Sequence, residues 1–134
     1  MSRAKLLLLA CLIPLAACTL PAPDVPSGAE DFATFCAACH GDDGAGDGSV
    51  AGTLEKRPAD LTRLSQKNHG TFPMTRVMSK IWGYAKAPDG TVMPQFAPLL
   101  DQDQIVLFDS GDGIATPTPL RLVQLAEYLK TIQD

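Results

Sequence analysis

The 134-residue sequence is poor in aromatic residues, in charge and in histidine. Aromatic side chains make up 6% of the chain and charged ones 19%, and two histidines are present. Lysine and arginine number 11 against 15 aspartates and glutamates, which excludes a nucleic-acid-binding protein built on a basic patch. The length predicts one domain, and 11 glycines and 11 prolines predict short helices joined by loops. A core this small needs a further stabiliser, such as disulfides, a metal or a cofactor.

The sequence also lacks an apolar run long enough to span a bilayer. The longest, from Leu6 to Ala17, is shorter than the about 20 residues that a transmembrane helix needs. Arg3 and Lys5 precede it, which is typical of an export signal. We therefore expect residues 1–17 to be removed and the mature protein to be exported. Loss of the two basic residues makes the mature chain more acidic.

The end of this apolar run carries a more specific signal. Leu15-Ala16-Ala17-Cys18 resembles the lipobox of bacterial lipoproteins, in which the chain is cut before the cysteine and the cysteine receives lipid. This resemblance predicts lipid on Cys18 and a location on the periplasmic side of a bacterial membrane. The alternative is an ordinary secretory signal cut after Ala17, which leaves a free thiol. Three prolines make residues 18–27 a semi-rigid tether, and residues 28–134 form the predicted domain.

The motif Cys36-Ala37-Ala38-Cys39-His40 indicates the chemistry of the protein. On a helix its two thiols and its imidazole lie on one face, so both thiols can form thioethers with haem vinyl groups and the imidazole lies under the iron. CxxCH is the attachment signature of c-type haem. A thioredoxin-like CxxC would need a preceding strand, and a zinc site would need more ligands. A disulfide between Cys36 and Cys39 would leave His40 unexplained.

Two helices are predicted at the ends of the domain. Ser27 and Glu30 have the spacing of a capping box, which predicts a helix that begins at Gly28 and continues into the cysteine motif. Thr118-Pro119 has the composition of an N-cap followed by proline at the first helical position. The helix predicted after it has an apolar stripe with i, i+3, i+4, i+7 spacing, formed by Leu122, Leu125, Ala126 and Leu129.

The residues around the motif resemble the class I c-type cytochromes. Gly28 and Phe32 stand before the motif at the spacing of that family's N-terminal helix, and Tyr128 stands at the aromatic position of its C-terminal helix. In the family this glycine and these aromatic residues let the two helices cross. The resemblance extends from Gly28 to the end of the chain. It implies an all-α fold, with three to five short helices around one covalent haem c.

The resemblance also implies the second axial ligand of the iron. Met93 is followed by Pro94 on a segment without helical periodicity, which is similar to the family's axial-methionine loop. Thioether ligation favours ferrous iron and raises the reduction potential. His40 and Met93 are therefore the expected axial ligands. A bis-histidine site through His69 is the alternative, although a surface position is the default for a histidine in a polar loop.

A third helix is predicted before this methionine segment. Met74, Val77, Met78 and Ile81 follow helical spacing, and the pattern ends at Gly83. The two methionines are therefore expected in the core.

Other residues are candidates for contacts around the haem. Lys56, Arg57, Trp82 and Tyr84 have side chains suited to the propionates. The family also holds its proximal histidine through a carbonyl of a proline loop, for which Pro58 is the candidate.

Two regions have no clear role, and the second of them, within residues 101–119, departs from the family pattern. Residues 41–52 hold three aspartates and five glycines without the residue order of a calcium loop, and we expect a flexible acidic loop. Residues 105–108 and 114–116 flank a glycine-rich turn and predict a small β-hairpin. This hairpin is either a docking surface for a redox partner or a stabilising flap.

These expectations describe an exported, membrane-anchored electron carrier without catalytic residues. Its predicted partners are redox proteins and, through Cys18, the membrane, with no nucleic acid and no small-molecule substrate. Two alternatives stay open. One is a five-coordinate haem protein that senses gases or turns over peroxide, and the other is the haem subunit of a larger periplasmic oxidoreductase complex.

Overall fold

The computed structural model describes residues 25–84, 93–101 and 104–134. The predicted signal peptide, Cys18 and the first part of the tether lie outside the described residues. Five helices and one two-stranded sheet follow in chain order: α1 Gly28–Phe35, α2 Ala37–His40, α3 Met74–Trp82, α4 Ala97–Leu100, β1 Ile105–Phe108, β2 Thr116–Pro119 and α5 Leu120–Thr131. None of the helices in these ranges is long and apolar enough to cross a membrane.

Helix α1 begins where the sequence predicts. The Ser27 hydroxyl accepts from the backbone N–H of Glu30, and the Glu30 carboxylate accepts from the backbone N–H of Ser27 at 2.7 Å. This reciprocal capping box satisfies amide groups that the first turn of a helix leaves without partners. The start of this eight-residue helix is therefore fixed, and the cysteine motif follows directly after its last residue.

Helices α1 and α5 cross at a glycine. A Cβ atom on Gly28 would lie 2.0 Å from the carbonyl oxygen of Gln124, so only glycine permits this approach. One turn further along, the rings of Phe32 and Tyr128 pack with their centroids 5.3 Å apart. Phe32 and Leu125 are almost completely buried at this crossing. The crossing of the terminal helices implied by the resemblance is confirmed.

Helix α3 has the apolar face that the sequence predicts. Met74, Val77, Met78 and Ile81 are all buried, so both methionines lie in the core. The helix ends at Gly83, whose φ of 102° is accessible mainly to glycine.

The predicted hairpin is present, but its second strand begins two residues later than expected. Strand β1 pairs antiparallel with β2, and Ile105 lies opposite Pro119. The Asp109 carboxylate accepts from the backbone N–H groups of Gly111, Asp112 and Gly113, which holds the turn in a wide loop and leaves residues 114 and 115 unpaired. The fold is therefore mostly helical with a minor hairpin, as predicted.

The start predicted for helix α5 is wrong by one residue. Thr118 belongs to strand β2, and its hydroxyl donates to the Thr116 carbonyl rather than capping the helix. Pro119 occupies the N-cap position with extended backbone. The N–H of Leu120 donates to the Gln104 carbonyl, so these two residues form a hydrogen-bonded pair of the antiparallel ladder. Such pairs alternate with pairs that are not hydrogen-bonded. The two prolines of β2 lie in the second kind of pair, where no N–H donor is needed.

Candidate functional site

The cysteine motif forms one helical turn directly after α1. The backbone N–H of Cys36 donates to Phe32, and the N–H groups of Cys39 and His40 both donate to the Cys36 carbonyl at 3.1 and 2.9 Å. This turn has the i, i+3, i+4 relation that the sequence predicts for the two thiols and the imidazole. Neither cysteine forms a disulfide among the described residues.

The surroundings of Cys36 differ from those of a redox-active thiol pair. Burial, with smaller contributions from the nearby Asp31 and Cys39, raises the pKa of the Cys36 thiol to about 12. Thioredoxin-type chemistry needs a thiolate, and therefore a lowered pKa. The segment before Cys36 is a helix rather than a strand. Both observations argue against the thioredoxin-like interpretation.

A backbone carbonyl holds the imidazole of His40. Its Nδ1 lies 2.9 Å from the carbonyl oxygen of Ala59. A carbonyl only accepts, so Nδ1 carries the proton and the lone pair of Nε2 stays free for a metal. The sequence prediction named Pro58 for this contact. The carbonyl belongs instead to the next residue, although the proline segment is the right one.

The acidic loop 41–52 is not the free loop that the sequence predicts. The N–H groups of Gly46, Gly48 and Val50 donate to His40, Cys39 and Ala38 at 2.7, 3.2 and 3.0 Å, which satisfies the last carbonyls of the motif. The backbone of Gly46, Gly48 and Val50 therefore supports the cysteine turn, and we call this part of the loop the brace. The described residues contain no cluster of three or more His, Cys, Asp or Glu suited to a metal ion.

Two glycines allow the brace to pack closely. A Cβ atom on Gly48 would lie 2.3 Å from the Ala38 carbonyl oxygen, and one on Gly46 would lie 2.6 Å from that of Pro58. The Gly46 carbonyl also accepts from Nε of Arg57 at 3.1 Å. The loop thereby holds the segment that carries Ala59 next to His40. Sequence reasoning missed this role, although the density of glycine beside the motif is a sign of close backbone packing.

Met93 is partly buried and packs against the core from irregular chain. Its segment is fixed downstream, where the N–H of Phe96 donates to the Ile81 carbonyl at the end of α3 at 3.0 Å. His69 lies exposed in a left-handed conformation with a φ of 56°. The surface position expected for this histidine is confirmed.

The residues present fit a haem. The chain offers two unpaired thiols, an imidazole with a free Nε2, a methionine thioether and apolar packing. Apolar side chains from α1, α3 and the loops lie partly buried around the core, among them Phe35, Leu61, Leu64, Phe72 and Trp82. Of the propionate candidates, Tyr84 is exposed and its ring lies 6.2 Å from that of Trp82.

Comparisons with known proteins agree with this chemistry. No curated protein and no solved structure matches the chain. The sequence profile of the family described as Cytochrome c matches residues 25–107, which is more than half of the chain and includes the cysteine motif and Met93. The chain therefore belongs to the cytochrome c family and is a haem-based electron carrier that holds haem c covalently.

Proposed function

We propose that the protein is a membrane-anchored, periplasmic one-electron carrier. In this proposal the haem is attached through Cys36 and Cys39 and ligated by His40 and Met93. The observation that carries the proposal is the contact between His40 Nδ1 and the Ala59 carbonyl, because it fixes the tautomer in which Nε2 is a ligand. When bound, the haem supplies a ferric–ferrous couple that exchanges single electrons with redox proteins.

Hydrogen bonds within the chain hold the attachment site in place. The brace satisfies the carbonyls of the cysteine turn, and the start of α1 is fixed by its capping box. Thioether formation consumes both thiols, so neither cysteine is left for other redox chemistry.

Met93 is the proposed sixth ligand because it is a thioether on chain that is not helical. Such a segment can present sulfur to iron without breaking a helix. Met74 and Met78 are buried on α3 as core residues, and His69 is exposed. Filling both axial positions would close the iron to gases and peroxide, and this distinguishes the proposed carrier from the five-coordinate alternative.

The attachment is tested by the variants Cys36→Ser and Cys39→Ser. Each single variant should keep one thioether, and the double variant should release its haem into acidified organic solvent. The position of the reduced pyridine-haem band reports how many vinyl groups remain unsaturated. Full retention of haem by the double variant would contradict attachment through these residues.

The membrane anchor is a separate part of the proposal and has its own test. The lipobox-like sequence ending at Cys18 supports it, and the tether 18–27 would hold the domain near the membrane surface. Cys18→Ser should move the protein from the membrane fraction to the soluble periplasm, with an unchanged haem spectrum. Membrane attachment of Cys18→Ser after its signal peptide has been removed would contradict a lipid anchor on Cys18.

A further inference from the structure

One buried ion pair joins three helices of the domain. The guanidinium of Arg121 on α5 and the carboxylate of Asp31 on α1 are both buried, with exposed fractions of 7% and 1%. Nε of Arg121 donates to one carboxylate oxygen at 3.0 Å, and Nη2 donates to the other. The remaining terminal nitrogen, Nη1, donates to the backbone carbonyl of Leu99 on α4 at 2.8 Å. The guanidinium therefore links α5, α1 and α4.

Aromatic packing also connects Arg121 to the start of helix α4. The Arg121 guanidinium carbon lies 5.8 Å from the ring centroid of Phe35, and that ring lies 6.2 Å from the ring of Phe96. Phe96 accepts from the N–H groups of Leu99 and Leu100 through its carbonyl. A cation packed on an aromatic face is attracted by the ring quadrupole. Arg121 thus contacts helix α4 directly and also supports the residue that begins it.

Helix α4 needs this support because it is only four residues long. A helix of one turn is not stable by itself in water. Upstream, its segment is fixed to α3 through the Phe96 amide, and downstream it is fixed through the Leu99 carbonyl. Met93 lies directly before these two points of attachment. The position of its sulfur therefore depends on both.

We propose that Arg121 is a positioning residue for the sixth ligand: its guanidinium holds α4 against α1 and so keeps Met93 at the iron. This inference rests on the proposed ligation by Met93. An arginine suits the role because its planar fork can bond a carboxylate with two nitrogens while a third serves a carbonyl. A lysine carries one point charge and lacks the planar fork that bonds two partners at once.

The test removes the Arg121 bond to Leu99 without leaving the Asp31 carboxylate unpaired. In the double variant Asp31→Leu/Arg121→Met the ion pair is replaced by apolar side chains, which leaves no unpaired buried charge. The Leu99 carbonyl still loses its donor. A matched control is Lys130→Gln, which removes the cation of an exposed ion pair with Glu127 on the same helix.

The first readout is the methionine-to-iron band of the ferric holoprotein as a function of pH. As the pH is raised, the double variant should lose this band about one pH unit below the pH at which wild type loses it. This shift corresponds to a tenfold change in the ligand-exchange equilibrium. The second readout is amide hydrogen exchange at Leu99 and Leu100, which should be about tenfold faster. Lys130→Gln should match wild type in both.

The outcomes distinguish this inference from the proposed function. A wild-type spectrum without the band would overturn ligation by Met93 and this inference together. A band in wild type that the double variant keeps to the same pH would overturn only the role of Arg121. If the double variant does not fold, Arg121→Lys replaces it in the test. This variant keeps the charge beside Asp31 and should still lose the band at a lower pH than wild type. Wild-type behaviour of Arg121→Lys would also overturn the inference.

Discussion

Gly28 sets the distance between the two terminal helices, and its role gives a prediction at the scale of a single residue. Gly28→Ala would place a methyl group 2.0 Å from the Gln124 carbonyl oxygen and 2.9 Å from Tyr128 Cβ. Helices α1 and α5 must then separate, which we expect to lower the free energy of unfolding by about 1–3 kcal/mol. Urea unfolding of the holoprotein measures this loss.

Gly52→Ala is the matched control, because no atom lies within 4 Å of a Cβ at that position. Its free energy of unfolding should equal that of wild type or exceed it slightly, since alanine restricts the unfolded chain. Equal stability of the two alanine variants would contradict the account of the helix crossing.

The site residues differ in how far sequence could predict them. Side chains with specific chemistry, such as Cys36 and His40, are visible in the motif because their spacing is local. The carbonyl that holds His40 is not, because any residue carries one and only the fold selects Ala59. Arg121 has the same difficulty, since its partner Asp31 lies 90 residues away in the sequence.

At the level of single elements, the stability that the capping box gives to helix α1 depends on pH. Hydrogen bonds from the Ser27 side chain and backbone lower the pKa of the Glu30 carboxyl below its ordinary value. A carboxyl with a lowered folded pKa stabilises the protein above its unfolded pKa, and that contribution is lost as the pH falls through the folded pKa. Acid therefore weakens the start of the helix that presents the cysteines.

Ser27→Ala should lower the free energy of unfolding at pH 7 by about 1 kcal/mol, the usual value of an N-cap. The difference from wild type should shrink as the pH falls through the folded pKa of Glu30, because the protonated carboxyl accepts more weakly from the Ser27 hydroxyl. Thermal unfolding at several pH values measures both effects. Ser49→Ala, an exposed serine with no hydrogen bond among the described residues, is the control. A difference that stays constant with pH would contradict the reciprocal cap.

Strand β1 of the hairpin packs one face on the core and exposes the other. Val106 and Phe108 pack toward the core, while Ile105 and Leu107 on the other face are 55% and 73% exposed. Exposed apolar side chains that share one face of a strand form a possible contact surface. This arrangement favours docking over the stabilising flap that the sequence left as an alternative.

The double variant Ile105→Ser/Leu107→Ser should therefore unfold at the same urea concentration as wild type. Its oxidation by membranes of the source cell should slow several-fold, whereas oxidation by hexacyanoferrate, which needs no docking, should not change. Val50→Ser, an exposed apolar residue outside the hairpin, is the control. A loss of stability with an unchanged oxidation rate would favour the flap.

Elements with regular patterns were predictable, and irregular ones were less so. The stripe of α3 and the capping box of α1 depend on residues within a few positions of each other, and both predictions are confirmed. The start of β2 was misplaced because the Asp109 carboxylate holds a wider turn than the glycines alone indicate. Loop 41–52 was misjudged because its partners are backbone carbonyls, which leave no sign in the sequence.

At the scale of the whole molecule, a small core is completed by a cofactor. Among the described residues, the two cysteines form no disulfide, so no covalent link of that kind joins the loops. Membership of the cytochrome c family accounts for the stabiliser that the composition requires, since haem c is bound covalently and its macrocycle is apolar. Two groups of hydrogen bonds, the brace behind the cysteine turn and the bonds of Arg121, hold the two proposed ligand segments.

Ligation of one haem by His40 and Met93 can be tested by the ferric visible spectrum. Wild type should show a far-red methionine-to-iron band and no change on addition of carbon monoxide to the reduced protein. Met93→Ala should lose the band and bind carbon monoxide, while Met78→Ala, which removes a buried core methionine, should keep the band. A high-spin ferric spectrum of the wild type, with carbon monoxide binding at once after reduction, would contradict this ligation and identify an open haem site.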